Sequence, residues 1–219
     1  MKTMKFLAVL VMLSLSMGVS AQNAMQKKVM QTKSALKEKA SKDAKNEAKR
    51  MAKEGWTVSP GGLPLEKQID RWYAIKEDFD DDGEPAYVTG EGRAQGENFH
   101  AAQVQATELA RMELASSISS EATGIVDNMI ANKMLGDDQA ASITTTLMES
   151  KSIFSQKIGR VQTPLIATRV LKNNNKEVIV RMATKASSIK EIAKQAVRSE
   201  LEKQGKELSE ELKAYFDKD

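Results

Sequence analysis

One stretch of this chain leaves little freedom of interpretation. From Glu97 the hydrophobic period becomes helical: Ala102, Ala106, Leu109, Ala110, Leu114, Ile118, Ala122, Ile125 and Met129 recur on one stripe through to about Lys133. A helix of that length has to bury its stripe against another layer, and its small residues permit close approach to a sheet. Gly136 breaks the run, and Asp137 or Asp138 can cap a second helix extending to about Phe154.

Strand signals stand on both sides of these helices. Upstream, Pro64 can open a short helix through Arg71, with Leu65 and Ile69 on one face. Trp72 to Phe79 and Pro85 to Arg93 then read as two strands around Asp80-Asp81-Asp82-Gly83, which is suitable turn chemistry. Downstream, Val161 to Leu171 and the run Glu177 to Met182 flank Asn173-Asn174-Asn175, and asparagine tolerates the left-handed backbone of a tight turn. Ser188 starts a terminal helix with Ile189, Ile192, Ala196, Val197, Leu201, Leu208, Leu212 and Tyr215 near one stripe. The order predicts an α+β fold: an antiparallel sheet of two hairpins covered by helices, with a long N-terminal and a long C-terminal helix.

The N-terminus points to a compartment. Lys2 and Lys5 begin it, Phe6 to Val19 form an apolar stretch of about 14 residues, and Val19-Ser20-Ala21 is a small-residue cleavage site. That stretch falls short of the roughly 20 residues needed to cross a bilayer, so residues 1–21 read as a secretory signal peptide. Intact-mass measurement on native protein is expected to find Gln22 at the N-terminus; a retained Met1 would reject the reading. The mature chain is expected in the periplasm, associated with the outer membrane, or outside the cell. No later run is apolar enough to suggest a transmembrane segment.

Composition removes several chemistries. There is no cysteine, which excludes disulfide scaffolds, zinc–thiolate sites and thiol nucleophiles, and His100 is the one histidine. The formal charge is +3, and two of the cations lie in the signal segment, so a nucleic-acid partner lacks the concentrated excess of Lys and Arg it would need. Charge is instead unevenly placed. Residues 22–54 carry ten Lys and Arg against four Asp and Glu, and residues 55–101 carry four against ten. The chain therefore reads as a signal peptide (1–21), a basic helical arm (22–54), a linker with a short helix (55–71) and an α+β domain (72–219). In the arm, Met25, Val29, Leu36, Ala40, Ala44, Ala48 and Met51 form a narrow apolar stripe ending before Gly55. Its cations Lys27, Lys28, Lys42, Lys49 and Arg50 are candidates for contact with an anionic membrane surface, a polysaccharide or an envelope protein.

Tyr87-Val88-Thr89-Gly90-Glu91-Gly92-Arg93-Ala94, followed by Ala101-Ala102, Ala106, Ala110-Arg111, Leu114-Ala115 and Ile118, resembles the Lpp-twenty family of outer-membrane lipoproteins. The related N-terminal domain of the flagellar T-ring protein is similar. In both, a strand ending in a small-residue turn leads into an alanine-rich helix, and a later hairpin, here Thr168 to Met182, returns to the sheet. The likeness spans about residues 86–184. It implies a small exported α+β domain of the cell envelope that acts as an interaction or structural module without catalysis. The family's lipid needs a cysteine to carry it, so that anchor does not transfer to this chain.

Four constellations remain to be weighed for chemistry. Asp78, Asp80, Asp82 and Gly83 match the opening of a calcium loop, but Thr89 stands where the bidentate Glu belongs; the alternatives are a non-standard Ca²⁺ site or an acidic turn. Gly90, Gly92 and Gly96 are not at dinucleotide spacing, and favour close backbone approach to a helix over a phosphate cradle. His100 beside Glu97 has no identifiable nucleophile. Trp56, Trp72, Tyr73 and Tyr87 gather around the linker, where burial is favoured over glycan or peptide binding. The sequence thus predicts an exported, non-enzymatic envelope protein with no cofactor. The alternative is an exported divalent-cation-binding or carbohydrate-active protein using the acidic stretch 77–91.

Overall fold

A computed structural model describes residues 41–59, 61–204 and Phe216. The described residues from Ala44 on belong to one compact unit. The described elements are a helix α1 over residues 41–53, α2 (Leu65–Lys76), β1 (Tyr87–Gly96), α3 (Phe99–Ala131), α4 (Asp137–Glu149), α5 (Lys151–Lys157), β2 (Gln162–Val170), β3 (Lys176–Lys185) and α6 (Ala186–Lys203). This is an α+β fold with a three-stranded antiparallel sheet in the order β1-β3-β2. No helix among the described residues is long and apolar enough to cross a membrane.

The long helix forms where its period places it. Asn98 caps it, its side chain accepting from Ala101 N–H at 3.0 Å. At the other end, Lys133 takes a left-handed φ of 58°, and the N–H groups of Lys133 and Met134 return to the carbonyls of Ile130 and Met129. The helix is thereby closed three residues before Gly136. Its first half lies on the inner face of the sheet, where Ala102, Ala106 and Ala110 meet β1 and Val178 and Val180 of β3 complete the layer. Its second half is enclosed by Ile143 and Leu147 of α4, Phe154 of α5, and Ile189, Ala193, Val197 and Leu201 of α6.

Close approach is the defining packing feature. A Cβ on Gly90 would stand 2.4 Å from Ala110 O, and one on Gly92 would stand 1.8 Å from Ala106 O. Only hydrogen fits between β1 and the helix backbone at those two points. Both glycines lie inside β1 rather than in a turn after it, which corrects the placement expected from the resemblance.

The expected first hairpin does not form. Trp72 to Lys76 continue α2 beyond Arg71, because Ile69, Trp72 and Tyr73 keep a helical face and no Gly or Pro interrupts them. Of that hairpin, a single isolated bridge remains between Phe79 and Pro85. Its second half becomes β1, which pairs along its whole length with β3, Tyr87 opposite Lys185 through Gly96 opposite Lys176. The second hairpin forms as expected, with Asn174 at φ 65° in the turn between β2 and β3. The sheet is therefore one hairpin plus a lone edge strand. The second helix is also broken, at Ser150, into α4 and α5. Of the two long terminal helices, the N-terminal one is described only over 41–53, and Leu208, Leu212 and Tyr215 lie outside the described residues.

A second, smaller core covers the outer face of the sheet. Ala44, Ala48 and Met51 of α1, Trp56, and Ile69 of α2 gather with Leu165, Ala167 and Ile179. The expected boundary between arm and linker thus falls between Met51 and Trp56, two members of one buried cluster. The free edge of β2 is closed by Thr57, which exchanges two backbone hydrogen bonds of 2.8 Å with Thr168. The Gln68 amide also closes it, accepting from Ile166 N–H at 2.8 Å.

Candidate functional site

The acidic turn joins α2 to β1. Asp80 Oδ1 accepts from the N–H groups of Asp82 (3.1 Å) and Glu84 (2.9 Å), so one carboxylate oxygen is committed to holding the turn. Asp78, Asp80 and Asp82 are all exposed. Among the described residues, no group of three or more Asp, Glu or His side chains is disposed to hold a metal ion. The turn keeps these aspartates near one another without converging them.

Of the candidate partner-binding cations, Lys27 and Lys28 lie outside the described residues, while Lys42, Lys49 and Arg50 are exposed on α1. Arg50 stands 4.0 Å from both Glu47 and Glu54, long pairs in which the arginine itself is exposed and which contribute little. His100 is exposed in the first turn of α3. The volume a phosphate would need beside Gly90 and Gly92 is filled by the α3 backbone.

Trp56 and Trp72 are buried, and between them the two rings support three arginines. Arg169 lies 4.7 Å and Arg93 5.5 Å from the Trp56 ring centre, and Arg181 lies 5.2 Å from that of Trp72. Arg181 also bonds Glu91 across the sheet (2.7 Å) and Glu47 on α1 (2.8 Å), and Arg169 bonds Glu177 (2.6 Å) with Glu54 at 3.8 Å. Burial works against the Arg181 charge. The bonds to Glu47 and Glu91 more than reverse that effect, so its pKa stands above the ordinary guanidinium value.

A groove of about 760 Å³ opens between α3 and α6 beside the start of β1. Val88, Ile125 and Ile189 supply its apolar lining. On the α3 wall the hydroxyls of Ser116, Ser117 and Ser120 donate back to the carbonyls of Met112, Glu113 and Ser116. Their protons are thus occupied and their oxygens remain as acceptors, alongside Glu121 and Asn128. The α6 wall contributes Lys190 and Lys194. Acceptors on one wall and ammonium groups on the other, over apolar lining, suit a polypeptide segment, whose amides offer both donors and acceptors. Gly124 lines the same groove, with open space where a Cβ would stand.

Sequence reasoning did not find this groove. Its signal is faint: the run Ser116-Ser117, Ser119-Ser120 and Gly124 carries little side-chain bulk along one helix. The two walls come from segments about 70 residues apart, and only folding brings them together. No protein-family model matches the chain, and no curated protein or solved structure is significantly similar to it.

Proposed function

We propose that this chain is an exported, non-enzymatic module of the cell envelope that binds a polypeptide segment of another envelope component along the α3–α6 groove. The observation that carries the reading is the composition of that groove: an apolar lining between a wall of hydroxyl and carboxylate acceptors and a wall carrying lysines. The serine hydroxyls donate to their own helix, which leaves their oxygens as acceptors for the N–H groups of a bound segment. Export rests on the charged, apolar and small-residue pattern of residues 1–21. The resemblance to the Lpp-twenty family supports the same assignment to the envelope, as an interaction or structural module held there by protein contacts rather than lipid.

The test is to close the groove without touching the core. Gly124 is exposed and has nothing within 4 Å of its Cβ direction, so Gly124→Trp is expected to fill the groove and leave the melting temperature nearly unchanged. A photoreactive side chain at Ser120 should capture one discrete adduct in intact cells, and the Gly124→Trp background should remove it. The same adduct at full yield in both backgrounds would sink the groove as the binding site.

A further inference from the structure

The outer face of the sheet carries an inference that does not depend on the groove. Helix α1 covers that face with a small apolar contact, for its buried residues are Ala44, Ala48 and Met51. It ends at Gly55, which is exposed, takes a left-handed φ of 84° and has no neighbour within 4 Å of its Cβ direction. The chain just beyond is pinned: Trp56 is 3% exposed and Thr57 is bonded in both directions to Thr168. A helix with a thin apolar contact thus joins a fixed strand through one glycine.

The polar contacts share an unusual organisation. Arg181 is held by Glu91 of the sheet and by the Trp72 ring of α2, and α1 adds Glu47 as a third partner. Arg169 is held by Glu177 and the Trp56 ring, and the end of α1 adds Glu54. Breaking a buried ion pair is ordinarily costly because one charge is left unpaired. Here departure of α1 leaves each arginine with its sheet carboxylate and its ring. Moreover, Arg181 Nη1 is buried without a hydrogen-bond partner while α1 is docked, so α1 leaves one donor of this face unused.

We propose that α1 is a detachable strap, hinged at Gly55, over a docking face that accepts an amphipathic helix of a partner protein carrying two carboxylates seven residues apart. The geometry of α1 shows what the face recognises: small apolar residues four apart, as Ala44 and Ala48 are, and carboxylates seven apart, as Glu47 and Glu54 are, set against two arginines and Leu165, Ala167 and Ile179. The occupant enters helix-in-groove, with charge complementarity fixing its register. The strap competes with it from within the chain, so the face is selective for helices that outcompete a tethered one.

Two measurements decide the matter. Hydrogen exchange on the full-length wild-type protein should show amides of residues 46–53 exchanging at least about 100-fold faster than those of residues 114–126, through local opening of α1. Equal protection would make α1 an integral part of the core and overturn the strap. The docking face is then probed with a fluorescent peptide of residues 41–55 and the full-length Ala48→Glu variant, in which the internal strap is weakened. Binding should be at least about 10-fold tighter to this variant than to wild type, and about 10-fold weaker when the peptide carries Glu47→Lys and Glu54→Lys. Loss of the variant's fold, or peptide binding indifferent to the charge reversals, would overturn the proposal. A wild-type dimer that the peptide dissociates would make a second copy's α1 the occupant, and overturn the assignment to a foreign helix.

Discussion

Gly92→Ala is expected to lower stability by about 3 kcal/mol or more, seen as a fall of roughly 6–12 °C in Tm. The new methyl carbon would lie 1.8 Å from Ala106 O, 2.6 Å from Ala110 N and 2.9 Å from Ala106 C. All three are backbone atoms of α3, so no rotamer change can relieve the clash. Either β1 bends or the helix retreats, and retreat loosens Ala102, Ala106 and Ala110 together because they share one rigid element. Against a total stability of about 5–15 kcal/mol that loss is large. Gly124→Ala provides the opposite case on the same helix: nothing lies within 4 Å, and alanine should gain about 0.5–1 kcal/mol by reducing unfolded-state freedom. Thermal melts of the two variants separate the effects. If Gly92→Ala melts with the parent protein, α3 does not rest on β1 as described.

How much of the fold is legible in the sequence depends on the range of the interactions concerned. The α3 helix is readable because its period repeats within the segment: the expected stripe through to about Lys133 matches Phe99–Ala131. The glycines are readable as points of close approach, since small residues at strand and helix spacing occur side by side. The strand that holds them is also expected, as Pro85 to Arg93, but its pairing is not legible, because β1 acquires its partner from β3, about 90 residues later. The same remoteness explains the false hairpin. Trp72 and Tyr73 have strong strand preference, yet Ile69 and Trp72 share a helical face, and nothing local tells the two apart. Strand β3 shows the converse. It is buried on both faces, so its apolar residues run consecutively and Arg181 stands among them as an apparent anomaly. Its partners Glu47 and Glu91 lie 134 and 90 positions away, which spacing cannot reveal. The α3–α6 groove is of the same kind, a property of two helices meeting rather than of either alone.

Leu114→Ala is expected to cost about 2–5 kcal/mol, and Leu109→Ala less than about 0.5 kcal/mol, although both belong to the stripe read from the sequence. Leu114 is fully buried and Leu109 is 49% exposed. The reason lies in the step of the pattern. Buried residues of α3 recur mostly every four positions, from Ala102 through Ala106, Ala110, Leu114 and Ile118 to Ala122. Four residues turn an α-helix by about 400°, so each step carries the buried face about 40° further round. The face therefore starts against the sheet and rotates until it meets α4, α5 and α6. Leu109 comes seven positions after Ala102 and points in nearly the same direction, but by that level the face has moved on to Ala106 and Ala110. A single stripe drawn down the sequence includes Leu109, whereas the rotating face excludes it. Chemical denaturation of the two variants measures the difference directly. Equal losses would show that the buried face runs straight, and that the enclosure of the second half of α3 by α4, α5 and α6 is wrong.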